Sequence, residues 1–451
     1  MTIQPATLTI FGDEDGSPHH VPAGEYRGRL DDYGYVEEEW LARGEAGGRA
    51  YATTVLVRRP RDSKRFSGTI LVEPLHAMGA VPIWQYTARY VMRSGHGWAV
   101  IGSQKTALET HVKPSHPQRY EGLHIEADPR PPDVPAVDVV NLPRLDPVQR
   151  AAAFAEIQRL NSASNAILGQ VGAAIGADQG PFDGFAVRDV ILCGHSQTGG
   201  VVTDYIRRAH DAERLSDGSP VFHGYFPSGS PGEPFAALDV PIVQVVSDGD
   251  ISDPHRPGRE GRKYRRADSD DPGDRYRLYE LAAVAHMGTQ FPPYSLPQMW
   301  QSMPLAGQFP PDALMNGLPH NELFSMGLDH LVRWVAEGVR PPEAERIEVG
   351  SDGFLAADEH GNSRGGVRCA QIDVPRARYF SNPRNEDGTP APGVVGTEEP
   401  FERGKLQQLY KDHFDYVERF NRRLDELIGQ GWLLADDAAD LRTEAEKVEV
   451  P

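Results

Sequence analysis

The chain has 451 residues, of which 39% are hydrophobic and 25% are charged, a composition typical of globular proteins. Its formal net charge of −19 argues against a nucleic-acid partner, because a phosphate backbone attracts basic surfaces. No apolar run approaches the roughly 18 to 20 residues that a membrane span requires, so we expect no membrane partner either.

The amino terminus and the cysteines both indicate a cytoplasmic protein. Residues 1–6 lack the basic and apolar stretches of a signal peptide. Two cysteines do not make a disulfide framework, and Cys193, at the end of an apolar run, is expected to be a small core residue. No motif for a metal or a cofactor is present: an EF-hand-like spacing from Asp268 has Tyr279 in place of the required Glu. Nothing in the sequence indicates an oligomeric state.

The first hundred residues predict two arrangements of strands. Residues 1–65 alternate short β-like runs with turn signals, which is typical of antiparallel strands at one edge of a sheet. Residues 68–102 then read as strand, loop, helix and strand. Such a βαβ unit requires a parallel pairing of its two strands.

The rest of the chain predicts an α/β core followed by an extension. A Pro- and His-rich stretch, 105–145, and a charged stretch, 253–274, are expected to be surface excursions. Helices are expected at 147–174, 321–338, 406–427 and 437–448. The predicted fold is a mostly parallel central sheet with helices on both faces and antiparallel edge strands at the amino terminus. It divides into a β-rich segment (1–65), a core (66–345) and a carboxyl-terminal extension (346–451).

A strand-to-helix turn at residues 194–200, Gly-His-Ser-Gln-Thr-Gly-Gly, is the centre of the functional prediction. The apolar run 190–192 precedes it and a helical pattern follows it. This context is typical of the G-x-S-x-G nucleophile elbow, in which Ser196 would project over the end of the sheet. Thr198 is a departure, because it stands where the second glycine of that motif should be.

An acid and a base follow Ser196 in the order Ser, Asp, His that α/β-hydrolases use. Asp248 and Asp250 follow a predicted strand at 241–246, and His286 follows one at 276–285. Carboxyl ends of parallel strands meet at one edge of a sheet, so these side chains can converge with Ser196. We favour Asp250 as the triad acid, because it lies further into the loop; Asp248 is the second choice and can instead cap the turn.

Catalysis on a carbonyl also requires an oxyanion hole of two backbone N–H groups. One is expected from Gln197, the residue after the nucleophile, and the other from Ala77 or Met78 in the loop after an earlier strand. His76 in that loop and His195 beside the serine are the candidate pocket residues.

Four blocks of the sequence resemble a known family. They are the elbow, the segment from Arg275 to Glu280 with Ala285-His286, the run 333–335, and the glycine-rich stretch 361–368. Together they look like a poorly characterised bacterial "alpha/beta hydrolase domain" branch of the α/β-hydrolase superfamily, which is serine esterase-like. The resemblance implies Ser196 as nucleophile and His286 as base. Ala283-Val284 departs from that branch, which usually has Gly-Thr there.

The expected function is a serine hydrolase, of carboxylesterase type, that acts on a small-molecule ester or lactone through an acyl-enzyme. Two alternatives remain open at this point. The same triad can transfer the acyl group to an alcohol or amine, and a hydrolase-like scaffold can bind a ligand without turnover.

Overall fold

The computed structural model describes residues 2–11, 30–130, 147–177, 180–251, 263–288, 314–351, 354–384 and 393–450. These residues form two compact units, the first made of described residues up to Pro227 and the second of those from Ser228 onward. The boundary between these units differs from the boundaries near 65 and 345 that the sequence indicates, and the three-part division stays a prediction.

The described strands of the first unit have the order β1-β2-β3-β5-β4-β6-β7. β1 to β3 and the pair β3–β5 are antiparallel, whereas β4 pairs in parallel with both β5 and β6. The antiparallel edge strands and the parallel βαβ unit are therefore as predicted. The strands are β1 Thr7–Ile10, β2 Tyr35–Ala46, β3 Arg49–Pro60, β4 Thr69–Pro74, β5 Gly97–Ile101, β6 Asp189–His195 and β7 Gly224–Ser228.

Two local features explain how these strands are joined. Gly47 and Gly48 form the whole loop between β2 and β3, and both have positive φ, +59° and +78°, as the tightest hairpin turns require. β4 and β6 are apolar and buried along nearly their whole length, which is typical of central parallel strands. Cys193 lies buried in β6, and burial raises the pKa of its thiol.

The helices of the first unit differ from the prediction at two places. The helix predicted for 147–174 is two helices, because the chain turns at 161–163 and uses the Asn161 side chain to bond Thr106. The stretch 105–115, predicted as irregular, is helical, with a π-helical middle at Leu108–Val112. Residues 131–146 of that predicted excursion lie outside the described residues. The helices are α1 Pro82–Arg93, α2 Pro147–Leu160, α3 Ser164–Gly176 and α4 Gln197–Arg208, with 3₁₀ turns Ser63–Arg65 and Gly180–Phe182.

A buried carboxylate on β4 fixes the start of α1. Glu73 accepts hydrogen bonds from the backbone N–H groups of Ile83 (2.8 Å) and Trp84 (3.2 Å) and from the Trp98 indole (3.1 Å). It thereby satisfies two of the N–H groups that a helix leaves open at its amino end. Because Glu73 is fully buried, its pKa is raised to about 8.

The second unit contains a parallel pair of strands and a separate small sheet. β8 pairs in parallel with β10, and β9 pairs antiparallel with β10. The small antiparallel sheet has the order β11-β13-β12. The strands are β8 Ile242–Ser247, β9 Ser269–Asp271, β10 Asp274–Leu281, β11 Leu314–Met315, β12 Ala377–Phe380 and β13 Thr397–Pro400. The excursion predicted at 253–274 falls partly on residues 252–262, outside the described residues, and its end forms β9.

The helices of the second unit are α5 Asp248–Ile251, α6 His320–Glu337, α7 Ala370–Asp373, α8 Arg403–Leu409, α9 His413–Gln430 and α10 Ala435–Lys447. The single helix predicted for 406–427 is thus two. Asp412 caps α9 by accepting from the Asp415 N–H (2.8 Å), and Gly431 ends it in the left-handed conformation. One apolar face of α9, including Phe420 and Leu424, packs with α10 in a buried cluster.

Among the helices that the structure describes, none has the length and apolarity needed to cross a bilayer.

Candidate active site

Ser196 lies at a strained turn between a strand and a helix. β6 ends at His195 and α4 begins at Gln197, so Ser196 alone makes the turn, with φ 59° and ψ −122°. Such a conformation in a residue other than glycine costs roughly 1–3 kcal/mol and is common at functional sites. A Cβ at Gly194 would lie 2.4 Å from the Thr198 carbonyl oxygen, so only glycine fits there.

Thr198, the departure from the G-x-S-x-G pattern, has a structural role in this turn. Its hydroxyl accepts a hydrogen bond from the His195 N–H (3.0 Å) and donates one to the His195 carbonyl (2.9 Å). Its side chain is fully buried. Thr198 therefore stabilises the turn with two side-chain hydrogen bonds that a glycine could not make.

Asp250 and His286 form a buried hydrogen-bonded pair. They follow the neighbouring parallel strands β8 and β10. His286 Nδ1 lies 2.6 Å from Asp250 Oδ1, and both side chains are almost completely buried. The other carboxylate oxygen, Oδ2, accepts from the N–H and the hydroxyl of Ser247, each at 2.8 Å. In a Ser-His-Asp triad, an imidazole held by a carboxylate at Nδ1 exchanges its proton through Nε2.

The loop that carries His286 begins earlier than predicted. β10 ends at Leu281, whereas the sequence indicated a strand to Ala285, because the chain reverses at Ala283 with φ +57°. Gly249 lets this loop approach α5: a Cβ there would lie 2.8 Å from the His286 backbone nitrogen. The Gly249 N–H also donates to the Val284 carbonyl at 3.0 Å.

The two candidate acids have different partners. Asp248 does not extend into solvent, because its carboxylate accepts from the Ser381 hydroxyl (2.5 Å), the Ser363 hydroxyl and the Ala283 N–H (3.3 Å). Asp250, by contrast, contacts the imidazole of His286. Ser363 and Ser381 were not predicted, because they lie more than a hundred residues from Asp248 and no motif connects them to it.

In the loop after β4, both predicted oxyanion donors are hydrogen-bonded. The Ala77 N–H donates to Gln197 Oε1 (3.1 Å), and the Met78 N–H donates to His76 Nδ1 (3.0 Å). The Gln197 side chain also pairs with Gln104, a contact that the sequence analysis missed. The role of Ala77 or Met78 in binding an oxyanion stays a prediction.

His195, His320 and His330 are buried. His195 is buried and packs edge-on against the Tyr86 ring, with centroids 5.4 Å apart, so its pocket role stays a prediction. His320 stacks on Phe324, and burial lowers the pKa of His320 to about 3. His330 lies 3.0 Å from the Tyr279 hydroxyl, and burial lowers its pKa to about 4. Both therefore remain neutral at physiological pH.

The described residues contain no group of three or more His, Cys, Asp or Glu side chains arranged to hold a metal ion.

Comparisons with known proteins identify the family. No curated protein matches the chain. Solved structures similar to it include the esterase Est22 (11% identity, TM-score 0.33, 57% of this chain and 76% of the other). A second is a cold-adapted esterase from an Arctic intertidal metagenomic library (12% identity, TM-score 0.29, 55% of this chain and 84% of the other). A third is LpqC, a poly(3-hydroxybutyrate) depolymerase from Bordetella parapertussis (12% identity, TM-score 0.30, 68% of this chain and 91% of the other). A family model described as "Alpha/beta hydrolase domain" matches residues 10–443. The chain therefore belongs to the alpha/beta hydrolase domain family and has the α/β-hydrolase fold that its sequence predicted.

Proposed function

We propose that this α/β hydrolase is a serine hydrolase of carboxylesterase type, acting on a small-molecule ester or lactone. Ser196 is the nucleophile, His286 the general base and then acid, and Asp250 the residue that orients the imidazole. The observation that carries the proposal is the buried 2.6 Å contact between Asp250 Oδ1 and His286 Nδ1. A carboxylate in this position fixes the imidazole tautomer and stabilises the imidazolium that forms during catalysis.

The first half of the reaction acylates the enzyme. His286 Nε2 takes the proton from Ser196 Oγ as that oxygen attacks the substrate carbonyl, and a tetrahedral oxyanion forms. The Gln197 backbone N–H, at the amino end of α4, is one donor to that oxyanion. The imidazolium then protonates the departing alcohol, which leaves an acyl group on Ser196. For a lactone, the alcohol stays attached to the acyl group.

The second half restores the enzyme. His286, neutral again, takes a proton from water as the water oxygen attacks the acyl carbonyl. Collapse of the second tetrahedral oxyanion releases the carboxylic acid, and the imidazolium returns its proton to Ser196 Oγ.

The contacts of the two aspartates support Asp250 rather than Asp248 as the acid. The three described donors to Asp248 are two serine hydroxyls and a backbone N–H, a set that serves to hold chain segments together. Asp250 instead receives two hydrogen bonds from Ser247 on one oxygen, which fixes the other oxygen toward the ring.

The test is active-site labelling with a fluorophosphonate, followed by peptide mass spectrometry. We expect one adduct, on Ser196, and no adduct in Ser196→Ala. With p-nitrophenyl esters, Ser196→Ala should lower kcat by about 10⁴-fold to 10⁶-fold. Ser219→Ala, which changes a serine in a surface turn, is the matched control and should keep full activity. An unlabelled wild-type protein, or an active Ser196→Ala, would overturn the proposal.

A panel of p-nitrophenyl esters of increasing acyl length, together with lactones of different ring size, then defines the substrate. Turnover of any of these substrates that depends on Ser196 supports the ester or lactone class. If the chain takes a fluorophosphonate label but hydrolyses no member of the panel, the substrate class is wrong while the nucleophile stands.

A further inference from the structure

Two glutamine side chains in the first unit form a cyclic amide pair beside the elbow. Gln197 Nε2 donates to Gln104 Oε1 (2.6 Å), and Gln104 Nε2 donates to Gln197 Oε1 (3.1 Å). Two antiparallel hydrogen bonds between planar amides fix both planes relative to each other. Gln104 is fully buried and Gln197 half-buried, so water competes little for these bonds.

The pair holds the loop after β4 at two backbone groups. Gln104 Nε2 donates to the Leu75 carbonyl (2.9 Å), and Gln197 Oε1 accepts from the Ala77 N–H (3.1 Å). One contact needs an N–H and the other needs an oxygen, so the backbone itself sets which way each amide faces. The loop cannot shift relative to the elbow without breaking at least one of these bonds.

A third amide supports the pair from the other side. Asn161, at the break between α2 and α3, donates from Nδ2 to Gln104 Oε1 (3.1 Å). Its Oδ1 accepts from the N–H (3.1 Å) and the hydroxyl (3.2 Å) of Thr106. The carboxamides of Asn161, Gln104 and Gln197, hereafter the amide relay, thus connect a helix break to the loop through neutral groups alone.

We propose that the amide relay positions the oxyanion hole, with the Gln197 side chain holding the loop that carries Ala77 and Met78. The inference rests on the proposed function, since it assigns a role in that same reaction. Gln197 then has two separate tasks: its N–H binds the oxyanion, and its carboxamide, by accepting from the Ala77 N–H, keeps the loop of Ala77 and Met78 at a fixed distance from the elbow. Gln104 and Asn161 are positioning residues, because they act through Gln197 and the loop.

The test replaces each amide with methionine, a side chain of similar length that donates no hydrogen bond and accepts only weakly. Gln197→Met leaves the backbone N–H of residue 197 intact, and Gln104→Met removes the partner. Oxyanion contacts act mainly in the transition state, so each variant should lower kcat about 10-fold to 100-fold with little change in KM. The double variant should be about as active as the less active of the two single variants, because both changes break the same connection.

Gln170→Met is the matched control in the same unit. Gln170 also joins a side chain, the Tyr51 hydroxyl (3.0 Å), to a backbone carbonyl, that of Glu45 (2.6 Å), but it is not part of the amide relay. It should change thermal stability without lowering kcat. Asn161→Ala supplies a further variant should either methionine variant fail to fold, and it should lower kcat less than Gln197→Met does.

A second readout separates positioning from folding. Affinity for a boronic acid, which forms a tetrahedral adduct on a serine, should fall in parallel with kcat/KM across the variants. The inference fails if wild type is labelled on Ser196 and active while Gln197→Met and Gln104→Met, folded, keep kcat within about twofold. It also fails if the effects of the two variants multiply. Absence of any Ser196 adduct in wild type would instead overturn the proposed function.

Discussion

The two regions that carry the proposed catalytic residues are held by different chemistry. In the first unit, neutral carboxamides fix the loop beside Ser196 through the Gln197–Gln104 pair. In the second unit, two buried carboxylates, Asp248 and Asp250, hold the loop of His286. Amides keep their hydrogen-bonding pattern at every pH, whereas a carboxylate accepts on both oxygens only while it is ionised. The comparison indicates that the amide relay on the nucleophile side keeps its hydrogen bonds at every pH, and that charge matters on the side of the base.

The largest effect should come from removing the negative charge of the two aspartates, one at a time. In Asp250→Asn, the new amide donates to His286 Nδ1, which forces the ring proton onto Nε2 and prevents the imidazole from acting as a base. We expect kcat to fall by about 10⁴-fold while the protein remains folded, as measured by steady-state kinetics and circular dichroism.

Asp248→Asn is the matched control two residues away. It should cost stability, because three donors lose a charged acceptor, and it should lower kcat much less than Asp250→Asn does. If Asp248→Asn were the more inactive of the two, the assignment of the triad acid would be reversed.

A smaller effect is expected from the two serines that contact Asp248. Ser363→Ala and Ser381→Ala each leave a buried carboxylate with one hydrogen bond fewer, at a cost of about 1–3 kcal/mol in folding free energy. We expect a lower midpoint of thermal unfolding and a modest loss of kcat at temperatures where the variants stay folded.

Ser219→Ala is the control for this pair, since the Ser219 hydroxyl donates to Asp217 (2.6 Å), an exposed aspartate. Its effect should stay within about 0.5 kcal/mol. Equal destabilisation by Ser219→Ala and Ser381→Ala would contradict the view that the contacts of Asp248 are worth more because they are buried.

Elements with strong local signals were predictable from the sequence. The β4–α1–β5 unit and the turn at Ser196 follow from apolar runs, glycines and helical periodicity, all of which are local patterns. The helix breaks at 161–163 and 410–412 were missed. At the first break, a long-range contact decides the structure: Asn161 bonds Thr106, 55 residues away.

The same distinction applies to the candidate site. Residue types and their order indicated Ser196, Asp250 and His286, because the chemistry requires a hydroxyl, a carboxylate and an imidazole after strands. The amide relay and the serines around Asp248 carry no such signal, since Gln, Asn and Ser are common on surfaces. Only the fold brings Gln104 to within 2.6 Å of Gln197, 93 residues later.

The last effect is on stability alone and concerns Glu73, which lies at the end of β4 just before the loop that carries Ala77 and Met78. Burial raises the pKa of Glu73 to about 8 in the folded protein, from an ordinary value of 4.5. Between these two values the folded protein holds a proton that the unfolded chain releases. The contribution of Glu73 to the free energy of unfolding is therefore greatest below about pH 4.5. It falls as pH rises to about 8, by at most about 1.4 kcal/mol per pH unit.

Glu73→Gln isolates this contribution, because an amide cannot titrate and its fixed cost in hydrogen bonding is the same at every pH. Urea titrations of both proteins at a series of pH values give the difference in free energy of unfolding. That difference should shift in favour of Glu73→Gln as pH rises from about 5 and become constant above about 8. A difference that stays constant over this range would mean that Glu73 is ionised when folded. Charge would then lie beside the loop of the nucleophile as it does beside the loop of the base, and the contrast between the two regions would be lost.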